Sequence, residues 1–210
     1  MINVLLITFI ITLLYLAIAN RIITYIHILS LQGFILFGVA FLQLSEFNTL
    51  NLVLILLETV VFKAIAAPLF LSRLIKKNNI TREAEPFLPN FLSLVIVTVI
   101  VIITILLANS IKDTKLDKIF FIVALSTLFT GLYLIATRRK IITHVIGYLI
   151  IENGVFVLSL AVGNEMPMLV NLGVMLDIFA SVLILGIFLQ KIGDVFKNVD
   201  VDQLSNLKDY

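Results

Sequence analysis

Seven stretches of this chain each run for about 20 residues with hardly a charge, which is the length of helix that the hydrocarbon core of a bilayer requires. They are residues 2–19, 22–44, 50–72, 87–109, 118–137, 141–163 and 167–190, and Leu, Ile, Val and Phe dominate them. None alternates strictly between apolar and polar over ten residues, as the strand of a transmembrane barrel would. Backbone groups inside lipid must find their hydrogen bonds within the chain, and helices do this segment by segment. The expected fold is therefore all-α, a polytopic membrane protein of seven transmembrane helices. Composition agrees: 61% of the 210 residues are hydrophobic and 13% charged, with a mean hydropathy of +1.16. A soluble domain this apolar could not cover its surface with polar groups, which excludes an ordinary cytosolic enzyme and a nucleic-acid binder.

The first run ends in Ala17-Ile18-Ala19, which looks like a signal-peptidase site. No basic residue precedes it, as a secretory signal requires, so it reads as a retained helix. Lysine and arginine set the orientation. Eleven of them (Arg21; Arg73, Lys76, Lys77 and Arg82; Arg138, Arg139 and Lys140; Lys191, Lys197 and Lys208) fall on one side of this arrangement. Three, Lys112, Lys115 and Lys118, fall on the other. The N-terminus is expected outside and the C-terminus, with the polar tail 193–210, in the cytoplasm. The chain has no cysteine, and its two histidines, His27 and His144, are far apart. No thiolate metal site or iron–sulfur cluster can be built from it, and no cofactor is expected.

The segment RIITYIHILSLQGFILFG from Arg21 resembles KIITHVIGYLIIENGVFVLS from Lys140. Each opens a span at the cytoplasmic edge and is followed by another span bearing an acid, Glu58 in one case and Asp177 in the other. Residues 1–72 and 118–192 then read as two parallel three-helix units joined by the span 87–109. Chance similarity between apolar segments competes with this reading.

The most informative residues are those that lipid should exclude. Glu58 and Lys63 lie in the third span, Glu152 in the sixth and Asp177 in the seventh. A charge at mid-bilayer costs about 2.5–3.5 kcal/mol on insertion scales, so four left facing lipid would cost on the order of 10 kcal/mol. They must face protein, water or each other, and transfer of protons or ions is the leading use of such groups. Glu152 lies 13 residues before Glu165, and Asp177 lies 12 after it. At 1.5 Å rise per residue, antiparallel neighbours would hold the two carboxyls at one level. Two carboxyls close together in a low dielectric do not both ionise readily, which suits groups that take up and release a proton.

His144, Tyr148 and Glu152 are spaced i, i+4, i+8 and share a helix face. They read either as a proton lead to Glu152 or, for His144 and Tyr148, as interfacial anchors. Gly173, Asp177 and Ser181 fall at four-residue intervals, a spacing that lets helices approach closely, and a structural hydrogen bond is the alternative role for Asp177. Glu58 and Lys63 are five apart, off the α-helical contact spacing, so each is expected to meet partners on other helices. Pro68 frees the carbonyl of Ala64, next to Lys63, and reads either as a loosened point that could hold water or a second carboxylate or as a tolerated kink of the kind common in membranes. In the first unit Gln32 stands near the position of Glu152, and no equivalent proton site is expected there. Asn153-Gly154 is expected to loosen the sixth helix locally. Residues 73–86 read as a solvated loop, and Pro86 and Pro89 suit the entry to the fourth span.

GYLIIENGVFVLSL at Gly147–Leu160 and MPMLVNLGVMLDIFASVLILGIF at Met166–Phe188 resemble the hydrogenase-4 component E family (HyfE), a membrane subunit of formate hydrogenlyase and group 4 hydrogenase-type complexes. This part is also similar to the small NuoK subunit of complex I and to the antiporter subunit MrpC. The resemblance implies proton transfer within a larger complex, with Glu152 and Asp177 in the places of that subunit's two intramembrane acids, and NuoK-like folding of each three-helix unit. It implies antiporter-like membrane partners, a peripheral nickel–iron hydrogenase arm and the inner membrane of a bacterium or archaeon. For Glu58 and Lys63 only the intramembrane-charge argument speaks. Two other functions fit the residues: a structural scaffold in which the charges lock subunits together, and a stand-alone ion transporter or channel.

Overall fold

A computed structural model describes residues 1–43, 52–53, 55–77, 87–112, 116–161 and Gly186. The secondary structure in them is helical throughout, in six long helices: α1 (Ile2–Ile18), α2 (Ile22–Gln43), α3 (Leu56–Ala66 continuing as Ala67–Lys77), α4 (Asn90–Ser110), α5 (Lys118–Thr137) and α6 (Ile141–Ala161). Of these, α2, α4, α5 and α6 are long and apolar enough to cross a bilayer, and α1 is a shorter apolar helix of 17 residues. The chain is a helical membrane protein. The expected seventh span lies outside the described residues except for Gly186, which is helical and packs on Phe70 of α3.

Local chemistry ends each helix where the apolar run stops. Ala19, extended at φ −69° and ψ 132°, closes α1. Arg138, 1% exposed just after α5, donates from Nη2 to the Ala17 carbonyl at 3.1 Å and lies over the Tyr25 ring, satisfying one of the acceptors a helix end leaves open. The Asp117 carboxylate accepts from the Ile119 and Phe120 amides and caps the start of α5. Pro89, at φ −57° and ψ 145°, precedes α4 as expected of an entry proline.

One boundary and one local reading differ from expectation. The third span was placed at residues 50–72, but α3 runs on to Lys77. Leu71, Leu74 and Ile75 are buried and Arg73 and Lys76 exposed, so the start of the expected loop is one amphipathic helical turn more. Gly154 does not loosen α6, which is continuous through it. A Cβ there would meet the Leu128 amide nitrogen at 3.0 Å, so the residue lets α5 and α6 touch. Gly131 and Gly147 do the same: a Cβ on Gly131 would stand 2.8 Å from the Gly147 carbonyl oxygen. Lipid tails are as apolar as leucine, so close backbone packing through small residues holds such helices together.

Helix α2 is central, packing against α1, α3 and α6. Its Gly33 meets α3 so closely that a Cβ would lie 2.6 Å from the Ala64 amide nitrogen.

Candidate functional site

The first half of α3, Leu56–Ala66, is wound as a π-helix. Its hydrogen bonds span five residues rather than four, as in the bond from the Ala67 amide to the Phe62 carbonyl. This corrects the expectation that Glu58 and Lys63 do not meet each other, while the expected partner on another helix is found for Lys63, in Glu152 of α6. Five apart on an α-helix they would diverge, but on this winding they stack, with Lys63 Nζ 3.7 Å from Glu58 Oε1. Pro68, just past the π-helical stretch, has no N–H to give. Ser30 Oγ of α2 supplies the missing donor, bonding the Ala64 carbonyl at 2.7 Å.

Lys63 reaches across to α6, where its ammonium stands 2.8 Å from Glu152 Oε1 and 4.5 Å from the centre of the Phe156 ring. The three charged residues are buried: Glu58 and Lys63 are each 9% exposed and Glu152 7%. Attraction between an ammonium and two carboxylates, strengthened by low dielectric, offsets much of the cost of removing them from water. The aromatic face adds a weaker cation–π contact. Two carboxylates around one ammonium leave an odd negative charge, and one proton on either carboxyl would balance it. Chemically the cluster is a place where a single proton can be held and handed between two oxygens through a shared lysine.

A second polar chain lies beside the first. The Asn153 amide, adjacent to Glu152, donates from Nδ2 to Gln32 Oε1 at 3.1 Å. Gln32 Nε2 donates to Thr12 Oγ1 at 2.9 Å, and Thr12 donates to the Phe9 carbonyl at 2.6 Å. Gln32 is fully buried and Asn153 is 2% exposed. Sequence reading placed Gln32 near the position of Glu152. It read Asn153 only as loosening its helix and passed over Thr12, and the signal of each was a polar residue in the middle of an apolar span.

The structure brings Glu58, Lys63 and Glu152 together and sets Gln32 beside them. It does not join His144 and Tyr148 to Glu152. His144 Nδ1 lies 2.8 Å from the Lys140 carbonyl oxygen and so carries the proton there, and no hydrogen bond links His144, Tyr148 and Glu152 to one another among the described residues. Asp177 and its expected pairing with Glu152 lie outside the described residues. No three His, Asp or Glu side chains among the described residues converge as metal ligands do.

Comparison with known proteins adds relatives of two kinds. The chain is 22% identical over 187 residues to the uncharacterized protein Rv0085 of Mycobacterium tuberculosis, a match covering 88% of this chain and 85% of that one. Over 86 residues it is 30% identical to hydrogenase-4 component E of Escherichia coli, covering 41% of this chain and 40% of that one. The same match is found in the Shigella flexneri protein. No family model matches the chain, and no solved structure does.

Proposed function

We propose that this chain is a membrane subunit of a multi-subunit hydrogenase-type, complex I-like redox complex, in which its buried carboxylates take part in proton translocation coupled to electron transfer in partner subunits. One observation carries the reading: Lys63 held between Glu58 and Glu152, 3.7 and 2.8 Å away, within a bundle of membrane-crossing helices. Buried charges are costly in that setting, and those that persist are used by default. The partial similarity to hydrogenase-4 component E supports the choice of complex. In this reading Asp177 belongs to the same relay, His144 and Tyr148 lie toward its cytoplasmic end, and the partners are antiporter-like membrane subunits and a nickel–iron arm. The two three-helix units (1–72 and 118–192) are joined by 87–109. The N-terminus lies outside and the polar 193–210 in the cytoplasm of a bacterial or archaeal cell.

A scaffold in which the Lys63–Glu152 pair locks helices together is the second reading, favoured by the pair's direct bridging of α3 and α6. Substitution Glu152→Gln separates the two. Glu58 remains to face Lys63, so the relay reading expects the complex to assemble at its usual level. Proton movement in inside-out membrane vesicles, driven by the complex's own turnover, is expected to fall about 10-fold or more, equivalent to about 1.4 kcal/mol of added barrier. Loss of the assembled complex on native gels would favour the lock instead.

A further inference from the structure

The Lys63–Glu152 pair joins two helices, and a single segment of α2 grips both of them beside the charged residues. On the α3 side, Ser30 Oγ bonds the Ala64 carbonyl at 2.7 Å, one residue from Lys63. One turn further along α2, Gly33 seats against the Ala64 backbone, where an ideal Cβ would come within 2.6 Å of the amide nitrogen and 2.8 Å of Cα. On the α6 side, Gln32 accepts from Asn153, one residue from Glu152, at 3.1 Å. The other end of the Gln32 amide is tied to α1 through Thr12, whose hydroxyl is tied in turn to the Phe9 carbonyl. These are contacts of three kinds: a hydroxyl replacing the donor that Pro68 lacks, a backbone touching a backbone, and a doubly bonded amide. They converge on the two residues flanking the charges.

We infer that Ser30, Gln32 and Gly33 of α2 are positioning residues that set the separation of Lys63 from Glu152. This rests on the proton-transfer reading for its purpose but not for its geometry. Helix α2 acts as a spacer. Its small face fixes how near α3 comes, and its amide fixes the height and rotation of α6. An ion pair between two long side chains depends steeply on such placement, because both side chains must be held in one geometry for the contact to form. Within a low-dielectric bundle, a loosened pair loses more attraction than the same change would cost in water.

The test measures the pair directly. The full chain is embedded in phospholipid vesicles with isotope-labelled lysine and glutamate, and solid-state magnetic resonance reads the dipolar coupling between Lys63 Nζ and Glu152 Cδ. The signal is assigned by its loss in Glu152→Gln. In the natural chain the coupling is expected to be strong, as the 2.8 Å contact requires. Gly33→Ala, Gln32→Leu and Ser30→Ala are each expected to halve or abolish it, and Ser30→Thr, which keeps the hydroxyl, is expected to restore it. Thr104→Val, which breaks a comparable buried hydroxyl pair with Ser126 at 2.7 Å between α4 and α5, is expected to leave the coupling unchanged. An unchanged coupling in Gly33→Ala and Gln32→Leu overturns the inference, as does a loss equal to theirs in Thr104→Val, which would mark general loosening. A coupling absent from the natural chain overturns it too. If the clamp variants lose the coupling while vesicle proton transport by the complex is unaltered, the positioning role stands and the proton-transfer reading falls.

Discussion

Lys63 has two carboxylate neighbours where one would neutralise it, and this redundancy has an energetic consequence. Removing either acid alone leaves the ammonium with a partner, so Glu58→Gln and Glu152→Gln should each destabilise only mildly. Removing both strands a buried cation. Loss of all partners of a buried charge costs about 3–5 kcal/mol, and the penalty of the double variant should exceed the sum of the single ones. Unfolding of the detergent-purified protein, scored by residual helicity against denaturant, measures this, and additive effects would mean that the two acids act independently. The presence of these charges was legible in the sequence because each interrupts a long apolar run. Their partners were not. Glu152 meets Lys63 through tertiary packing between segments nearly ninety residues apart, and nothing local in either segment records the meeting. The Glu58–Lys63 contact was misread for a definable reason: the α-helical spacing rule was applied to a segment that is not wound as an α-helix.

At the scale of elements, the helices announced themselves by length and hydropathy, and the ends marked by Pro89, Asp117 and Ala19 fell close to expectation. The amphipathic end of α3 did not, because Arg73, Lys76 and Lys77 break the apolar run without breaking the helix. Gly154 carries a signal that reads as helix weakness and is instead one of helix proximity, as Gly147 is too. The α5–α6 contact can therefore be tested. Any Cβ on Gly147 would stand 2.7 Å from Ile135 Cγ1 and 3.0 Å from the Gly131 carbonyl oxygen. Gly147→Val should force the two helices apart at a cost of about 1–3 kcal/mol or more, typical of overpacking. A lowered thermal midpoint in detergent, with membrane insertion intact, is the expected result, and an unchanged midpoint would show that the contact is looser than described.

Across the whole molecule, polarity is arranged for lipid. Two hydroxyls of α4 turn inward: Ser93 accepts from Tyr133 at 2.8 Å and Thr104 pairs with Ser126 at 2.7 Å, all on or against α5, while the exposed Thr98 and Ser110 bond carbonyls of their own helix, those of Leu94 and Leu106. The outward side of the same helix carries Phe91, Val99, Ile102 and Leu106, each between 46% and 77% exposed. A water-soluble bundle would reverse this arrangement. Ile102→Asp should accordingly cost about 2.5–3.5 kcal/mol of insertion, seen as a reduced share of the chain in the membrane fraction. If that share is unchanged, this face is covered by protein or water rather than by lipid. This outward-apolar pattern is why membrane residence could be read from composition alone, whereas the order of helices around the charged cluster required coordinates.

The winding of α3 also bears on which length changes this stretch can absorb. The wider π-helical turn, with hydrogen bonds spanning five residues, brings Glu58 beside Lys63, and four-residue separation does the same on an ordinary helix. A chain shortened by one residue between them would keep the same two charges in register by reverting to the commoner coil. A chain lengthened by one would have no regular helix left that brings them together. Of single-residue changes in length between them, only a loss is then expected to keep Glu58 beside Lys63.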